Sequence, residues 1–243
     1  VETKRSRLDR LLAKTLQIPR KQVRQLLLSG RVMLDGIPAK DMDVLVDEFS
    51  QLTFDGVALR DDAPRYVMVN KPIGVVCATK DDIHPTVLEL LPQAEREGLH
   101  IVGRLDLNTS GLVLLTNDSR WSRALMLPQA HVPKEYLVTL ANPLDTDYAP
   151  AFASGFYFQF EDITTAPAQL DILSERQARV VLTEGKYHQI KRMFGRFRNP
   201  VMALHRSRIG ALPLDSALSS GQWRHLTPEE VQLALGMDAS SPK

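Results

Sequence analysis

The stretch GRLDLNTSGLVLLTND, residues 103–118, sets one carboxylate, Asp106, between Leu105 and Leu107, directly after Arg104 and ahead of a small-residue turn that runs into an apolar segment. Local pattern leaves two readings open. An aspartate beside Thr109, Ser110 and Gly111 can accept backbone N–H bonds and shape a loop. A carboxylate between leucines can instead act as nucleophile or general base, provided a cation offsets the desolvation that drives it toward the neutral acid. Between residues 95 and 117 the other carboxylates are Glu95 and Glu97. A glycoside hydrolase, which needs a second acid across the sugar, therefore finds little local support. The six histidines form no His-x-x-x-His pair and no cluster with carboxylates, so metal catalysis is not expected. The single cysteine, Cys77, excludes an internal disulfide and a cysteine zinc cage, and fits a small buried residue better than a nucleophile. Neither a Walker loop nor a G-x-G-x-x-G is present.

The charges are unevenly placed. The net charge is +1, yet residues 4–31 carry nine Lys/Arg against one acid, Asp9, and residues 186–208 carry seven against none. Two such blocks suggest two surfaces that face a polyanion, because each Lys or Arg that neutralises a phosphate releases a condensed counterion. The alternative is a pair of solvated helix faces. No stretch approaches the roughly 18 apolar residues of a membrane span, and VETKRSRLDR lacks the apolar core of a signal peptide. A globular protein of the cytoplasm, with no membrane partner, is expected.

These groups need a scaffold, and the chain is long enough to build one with a sizeable core: 243 residues, 44% of them hydrophobic. Leu8, Leu11, Leu12 and Leu16 recur at helical spacing until Pro19. A second helix turns Val23, Leu26 and Leu27 inward, leaves Arg20, Lys21 and Arg24 outside, and ends at Gly30. Short strands follow, with Asp35-Gly36 and Asp55-Gly56 as turns. RDDAPR, residues 60–65, reads as a linker. Beyond it, β-type runs (YVMVN, GLVLLTN, YLVTLA, ARVVLTEG) alternate irregularly with helical pieces (WSRALMLP, YHQIKRMFGRF). That pattern favours an α+β domain with a mostly antiparallel central sheet flanked by helices. Thr227-Pro228-Glu229-Glu230 has the form of a capping box with proline at the first helical position. The expected organisation is a small domain over 1–59, a linker over 60–65 and a larger domain over 66–243.

Two resemblances attach to these segments. Residues from about Arg5 to Leu59, carried by RLDRLLAK and SGRVMLDG, resemble the S4 RNA-binding domain, in which two helices and a small sheet present basic residues to structured RNA. The motifs YVMVNKPIG (66–74), GRLDLNTSGLVLLTND (103–118), KEY (134–136), TEGKYHQIKRMF (183–194) and LHRSRIG (204–210) resemble, in order, those of the RNA pseudouridine synthases. Together the two cover nearly the whole chain. The segments GVVCATKDDIHPTVLELL, EGKYHQIKRMF and LHRSRIG are most similar to the branch acting on small-subunit ribosomal RNA.

The resemblance implies isomerisation of one uridine of 16S rRNA, uridine 516, by base flipping, cleavage of the glycosidic bond and rejoining of C5 to C1′. The reaction involves no redox change and no energy input, so no cofactor is implied. Asp106 is then either the nucleophile at C1′ or the base that removes the 2′ proton to give a glycal. Lys191 occupies the position of the basic partner of that carboxylate, where some branches carry arginine, and without the resemblance it reads equally as a solvated helix residue. Tyr136 matches the tyrosine that packs on the target uracil, and Arg104 the residue that helps hold the flipped state. Candidate RNA contacts are Arg5, Arg7, Arg20, Lys21, Arg24 and Arg31 in the first domain, and Lys71, Lys134, His188, Arg192, His205 and Arg206 in the second. The implied partner is 16S rRNA within a small-subunit assembly intermediate, bound by a monomer. Rival readings are a synthase acting on 23S rRNA, an S4-domain assembly factor without catalysis, and a base-excising glycosylase.

Overall fold

The computed structural model describes residues 6–46, 50–59 and 64–237, so Arg5 and most of the expected linker lie outside the described residues. The chain divides into two compact units, one of residues 1–65 with 116–123 and the other of residues 66–115 with 124–243. Among the described residues no helix is long and apolar enough to cross a membrane.

In the first unit a two-residue strand, Ser6–Arg7, paired with Leu45–Val46, leads into α1 (Leu8–Thr15) and α2 (Arg20–Leu28). Leu8, Leu12, Val23 and Leu27 bury the facing sides of the two helices, which is what their three- and four-residue spacing dictates. Leu16 falls at the C-cap of α1, and Pro19 stands at the N-cap of α2, where a missing N–H costs nothing. Ser29 caps α2, and Gly30, at φ +69°, takes the left-handed conformation that follows it. A four-stranded antiparallel sheet covers the helices' buried side chains with Val32 and Leu52. Its order is β2 (Ile37–Pro38), β1 (Val32–Leu34), β3 (Leu52–Phe54), β4 (Val57–Ala58). Both two-residue hairpins have φ > 0 at each central position, as their strand twist requires, and Asp-Gly supplies it: 52° and 80° at Asp35-Gly36, 52° and 78° at Asp55-Gly56.

The basic block of this unit is partly consumed by its own acids. Asp9 is fully buried and accepts hydrogen bonds from Arg7 Nε (3.2 Å), Arg20 Nε (2.9 Å) and the Arg10 backbone N–H (2.7 Å). These donors, Arg7 foremost, hold its carboxyl down at about 2 against the opposing effect of burial. Arg31 donates to Asp55 and lies over the Phe54 ring at 4.5 Å. Lys21 and Arg24 stand exposed on α2.

Chain order then gives β5 (Tyr66–Lys71), β6 (His100–Val102), β7 (Ser110–Thr116), α3 (Ser119–Met126), β8 (Lys134–Leu140) and α4 (Tyr148–Ser154). After these come β9 (Gln169–Ser174), β10 (Gln177–Leu182), α5 (Gln189–Gly195), β11 (Val201–Ile209), β12 (Leu212–Pro213), β13 (Trp223–His225) and α6 (Pro228–Ala234). Among the described residues a nine-stranded sheet runs β9-β10-β8-β11-β7-β5-β13, with β12 beside β11 and β6 beside β7. β8 is antiparallel to both its neighbours, while β7 runs parallel to β11 through the pairs His205↔Ser110 and Arg206↔Gly111. The fold is α+β with a largely antiparallel sheet. Alternation along β8 sends Tyr136, Val138 and Leu140 into the core and leaves Leu137 exposed. α4 and α5 pack on that core through Tyr148, Phe152, Met193 and Phe194. α6 starts with the expected box: Thr227 Oγ1 accepts from the Glu230 N–H, and the Glu230 carboxylate accepts from the Thr227 N–H.

Candidate active site

Asp106 lies on the loop that joins β6 to β7. Its neighbour Leu105 is 7% exposed and belongs to the core, which anchors the loop, and the Leu105 N–H donates to Cys77 Sγ at 3.3 Å. The Thr109 N–H donates to the Asp106 carbonyl at 3.1 Å, closing a turn that lifts the carboxylate to a one-third exposed position. Cys77 is thus a buried acceptor, and burial pushes its thiol up, away from the reactive thiolate.

Two buried cations fix this loop from below, and both correct the sequence reading. The sequence places Lys71 and Arg206 among the RNA contacts, yet Lys71 is 0% exposed and Arg206 1%. Lys71 Nζ donates to the carbonyls of Pro72 (2.8 Å), Val75 (2.7 Å) and Leu107 (3.4 Å), and burial lowers its pKa. Arg206 donates to the carbonyls of Leu112 (2.8 Å) and Gly103 (2.6 Å), which bracket the loop on either side of Asp106. A backbone carbonyl buried without a partner is costly, so these side chains satisfy groups that an irregular loop otherwise leaves open. Gly111 makes the arrangement possible. At φ +106° it sits so close to β11 that a Cβ there would fall 2.3 Å from the Arg206 carbonyl oxygen.

α5 supplies the other side. Ile190, Met193 and Phe194 are buried, which fixes the helix against the core and turns Lys191 toward the loop. Lys191 Nζ donates to Asp106 Oδ2 at 3.3 Å. His188, just before the helix, brings Nε2 to 3.4 Å of the same oxygen. Tyr136, 9% exposed, projects from β8 into the cleft between loop and helix, and the exposed Arg104 lines its rim. Among the described residues lining this cleft, Asp106 is the sole carboxylate. The structure therefore brings Asp106, Tyr136, Lys191, Arg104 and His188 to one place.

The remaining basic candidates of this unit lie elsewhere. Lys134 donates to the Val132 carbonyl at 2.9 Å, and burial pushes its amine down to about 8. His205 Nδ1 meets Ser110 Oγ at 2.9 Å, half-buried, with its pKa lowered by desolvation. Arg192 pairs with both carboxylate oxygens of Glu161 at 2.7 Å and lies 3.6 Å over the Phe158 ring. Sequence reasoning also missed Gln189, 4% exposed, whose amide donates to Glu184 (2.7 Å) and whose oxygen accepts from the Lys186 N–H (2.8 Å). It ties down the turn that delivers His188. Its place inside KYHQIKRMF was the available signal.

Comparison with known proteins bears on what this cleft is. Residues 65–195 match the RNA pseudouridylate synthase family and residues 6–51 the S4 domain. The chain is 48% identical over 226 residues to Ribosomal small subunit pseudouridine synthase A of Pseudomonas aeruginosa, covering 93% of this chain and 98% of that one. It is 44% identical to the protein of the same name from Yersinia pestis over 93% and 96% of the two chains. A solved structure described as a pseudouridylate synthase superposes with a TM-score of 0.71 at 37% identity, covering 94% of this chain and 99% of the other. With an S4 domain at its N-terminal end and Asp106 in the motif loop of its larger unit, the chain belongs to the RNA pseudouridylate synthase family.

Proposed function

We propose that the protein isomerises one uridine of small-subunit ribosomal RNA to pseudouridine, with Asp106 as the group that reacts at the ribose. The observation that carries this reading is the cleft with a single carboxylate, opposed by an aromatic ring and held by an ammonium group. Hydrolysis of a glycosidic bond ordinarily requires two carboxyl groups, whereas an isomerisation that retains the base requires one. With Lys191 and His188 both against Oδ2, Oδ1 is the oxygen left to attack C1′ or to take the 2′ proton. Either route breaks the N1–C1′ bond, lets the uracil turn on the face of Tyr136, and forms the C5–C1′ bond; the C5 proton is lost, N1 gains one, and on the glycal route the 2′ proton is returned, so the product is an isomer of the substrate. No electron acceptor or external nucleophile enters the balance. Arg104, exposed at the rim, is placed to compensate for unstacking the flipped nucleotide, which costs a few kcal/mol.

The names of the relatives support a small-subunit ribosomal RNA as the target, and uridine 516 of 16S rRNA is the finer proposal that the motif resemblance suggests. The test is release of tritium from C5-labelled uridine in 16S rRNA, supplied naked and with small-subunit proteins, to wild type and to Asp106→Asn. Release by wild type and its loss in Asp106→Asn, with RNA affinity retained, is the expected result. Release from 23S rRNA alone moves the target to the large subunit. Tight binding with no release leaves an assembly factor, and free uracil in the supernatant identifies a glycosylase.

A further inference from the structure

We propose that His188 is a positioning residue for Asp106, holding Oδ2 together with Lys191 so that Oδ1 is presented to the ribose. Three observations lead there. His188 Nε2 is 3.4 Å from Asp106 Oδ2, and Lys191 Nζ approaches the same oxygen at 3.3 Å from the far side of one helical turn. The His188 backbone is left-handed, φ 47° and ψ 34°, a region in which histidine is enriched, and it sets the direction in which the side chain leaves the start of α5. Its ring is braced on Tyr187, with centroids 3.9 Å apart and planes at 19°.

The neighbourhood sustains that backbone. Lys186 N–H to Gln189 Oε1, Gln189 Nε2 to Glu184 Oε1, and Arg192 N–H to the His188 carbonyl pin the turn on both sides. A turn fixed at its backbone, carrying a ring stacked on Tyr187 with its distal nitrogen 3.4 Å from the carboxylate, restricts rotation of that carboxylate. Lys191 alone, a flexible four-carbon arm with one point contact, does not. The stack on Tyr187 sets the plane of the ring whose Nε2 faces Oδ2.

The kinetic arm of the test rests on the proposed isomerisation; the spectroscopic arm does not. In single turnover with bound RNA, His188→Ala is expected to lower the rate constant roughly ten- to hundredfold, the scale of a misplaced reacting group, with RNA affinity unchanged. His188→Gln, whose amide nitrogen reaches about as far as Nε2, restores most of the rate. His188→Asn, which reaches only to the position of Nδ1, does not. In the free protein, the ¹³C resonance of the Asp106 carboxyl moves in the Ala and Asn variants and returns toward its wild-type position in Gln. Weakened RNA binding with an intact rate constant overturns the proposal and makes His188 and Tyr187 a stacking platform for a flanking base. An unmoved Asp106 resonance also overturns it. A wild type silent on every rRNA sinks the isomerase reading by itself, and the resonance then decides the role of His188.

Discussion

At the scale of single residues, the site is built from cations with different duties. Lys191 meets the carboxylate, whereas Lys71 and Arg206 meet carbonyls and leave the solvent entirely. Lys134 illustrates what burial does to an amine without a carboxylate partner. Its pKa falls from 10.5 to about 8 because desolvation disfavours the charged form. Between those two values the folded protein has released the proton that the unfolded chain still binds, so the contribution to stability rises with pH. Below about 8 the amine is charged in both states and burial opposes folding. Lys134→Met is therefore expected to raise the melting temperature at pH 7, and the gap to wild type should narrow as pH climbs from about 8 to 10.5. Thermal melts across that range check it, and a gap independent of pH would mean that the amine is not held in a desolvated position.

Elements set how precisely those residues meet. The parallel pairing of β7 with β11 is short, yet it carries Arg206 beneath the Asp106 loop, and it depends on Gly111 having no side chain. Gly111→Ala must move one strand, because a Cβ there clashes with backbone and the φ is one that L-residues resist. We expect a loss of at least about 2 kcal/mol in denaturant unfolding, from strain and overpacking together. The pseudouridine-forming rate should drop by more than the loss of folded protein accounts for, since Gly103 and Leu112 would shift with the strand. Wild-type stability in this variant would show that the two strands are not in register as described.

The whole chain combines two units with different electrostatic arrangements. In the first, Asp9 is the buried acid that organises Arg7 and Arg20, its carboxyl held at about 2 where the ordinary value is 3.8. Its contribution to stability is complete above about 3.8 and is lost as pH falls toward 2. Asp9→Asn should destabilise the first unit at neutral pH and flatten its acid unfolding, which circular dichroism of the full chain over pH 2–5 would reveal as a shallower early transition. Lys21 and Arg24, exposed on α2, are proposed as phosphate contacts of this unit. Neutralising both is expected to weaken rRNA binding and reduce the salt dependence of log K by about 1 to 2, near one counterion for each phosphate that is no longer neutralised. An unchanged slope would place the RNA on another face.

The residue sequence by itself determined the α+β class, the two hairpin turns, the helix caps and the loop that carries Asp106. Each of these is a local matter: periodicity, Asp-Gly dihedrals, a capping box, or a motif whose residues are contiguous. Through the family resemblance of its motifs it also pointed to Asp106, Tyr136, Lys191 and Arg104, which the fold gathers into one cleft from three separated segments. Only the tertiary structure decided which basic residues face solvent. Lys71 and Arg206 look like RNA contacts in a string of letters, because a positive side chain has the same sequence signature whether its partner is a phosphate or a loop carbonyl. The choice among those partners depends on atoms up to 103 residues away, as in Arg206 to Gly103, and no local pattern carries that distance.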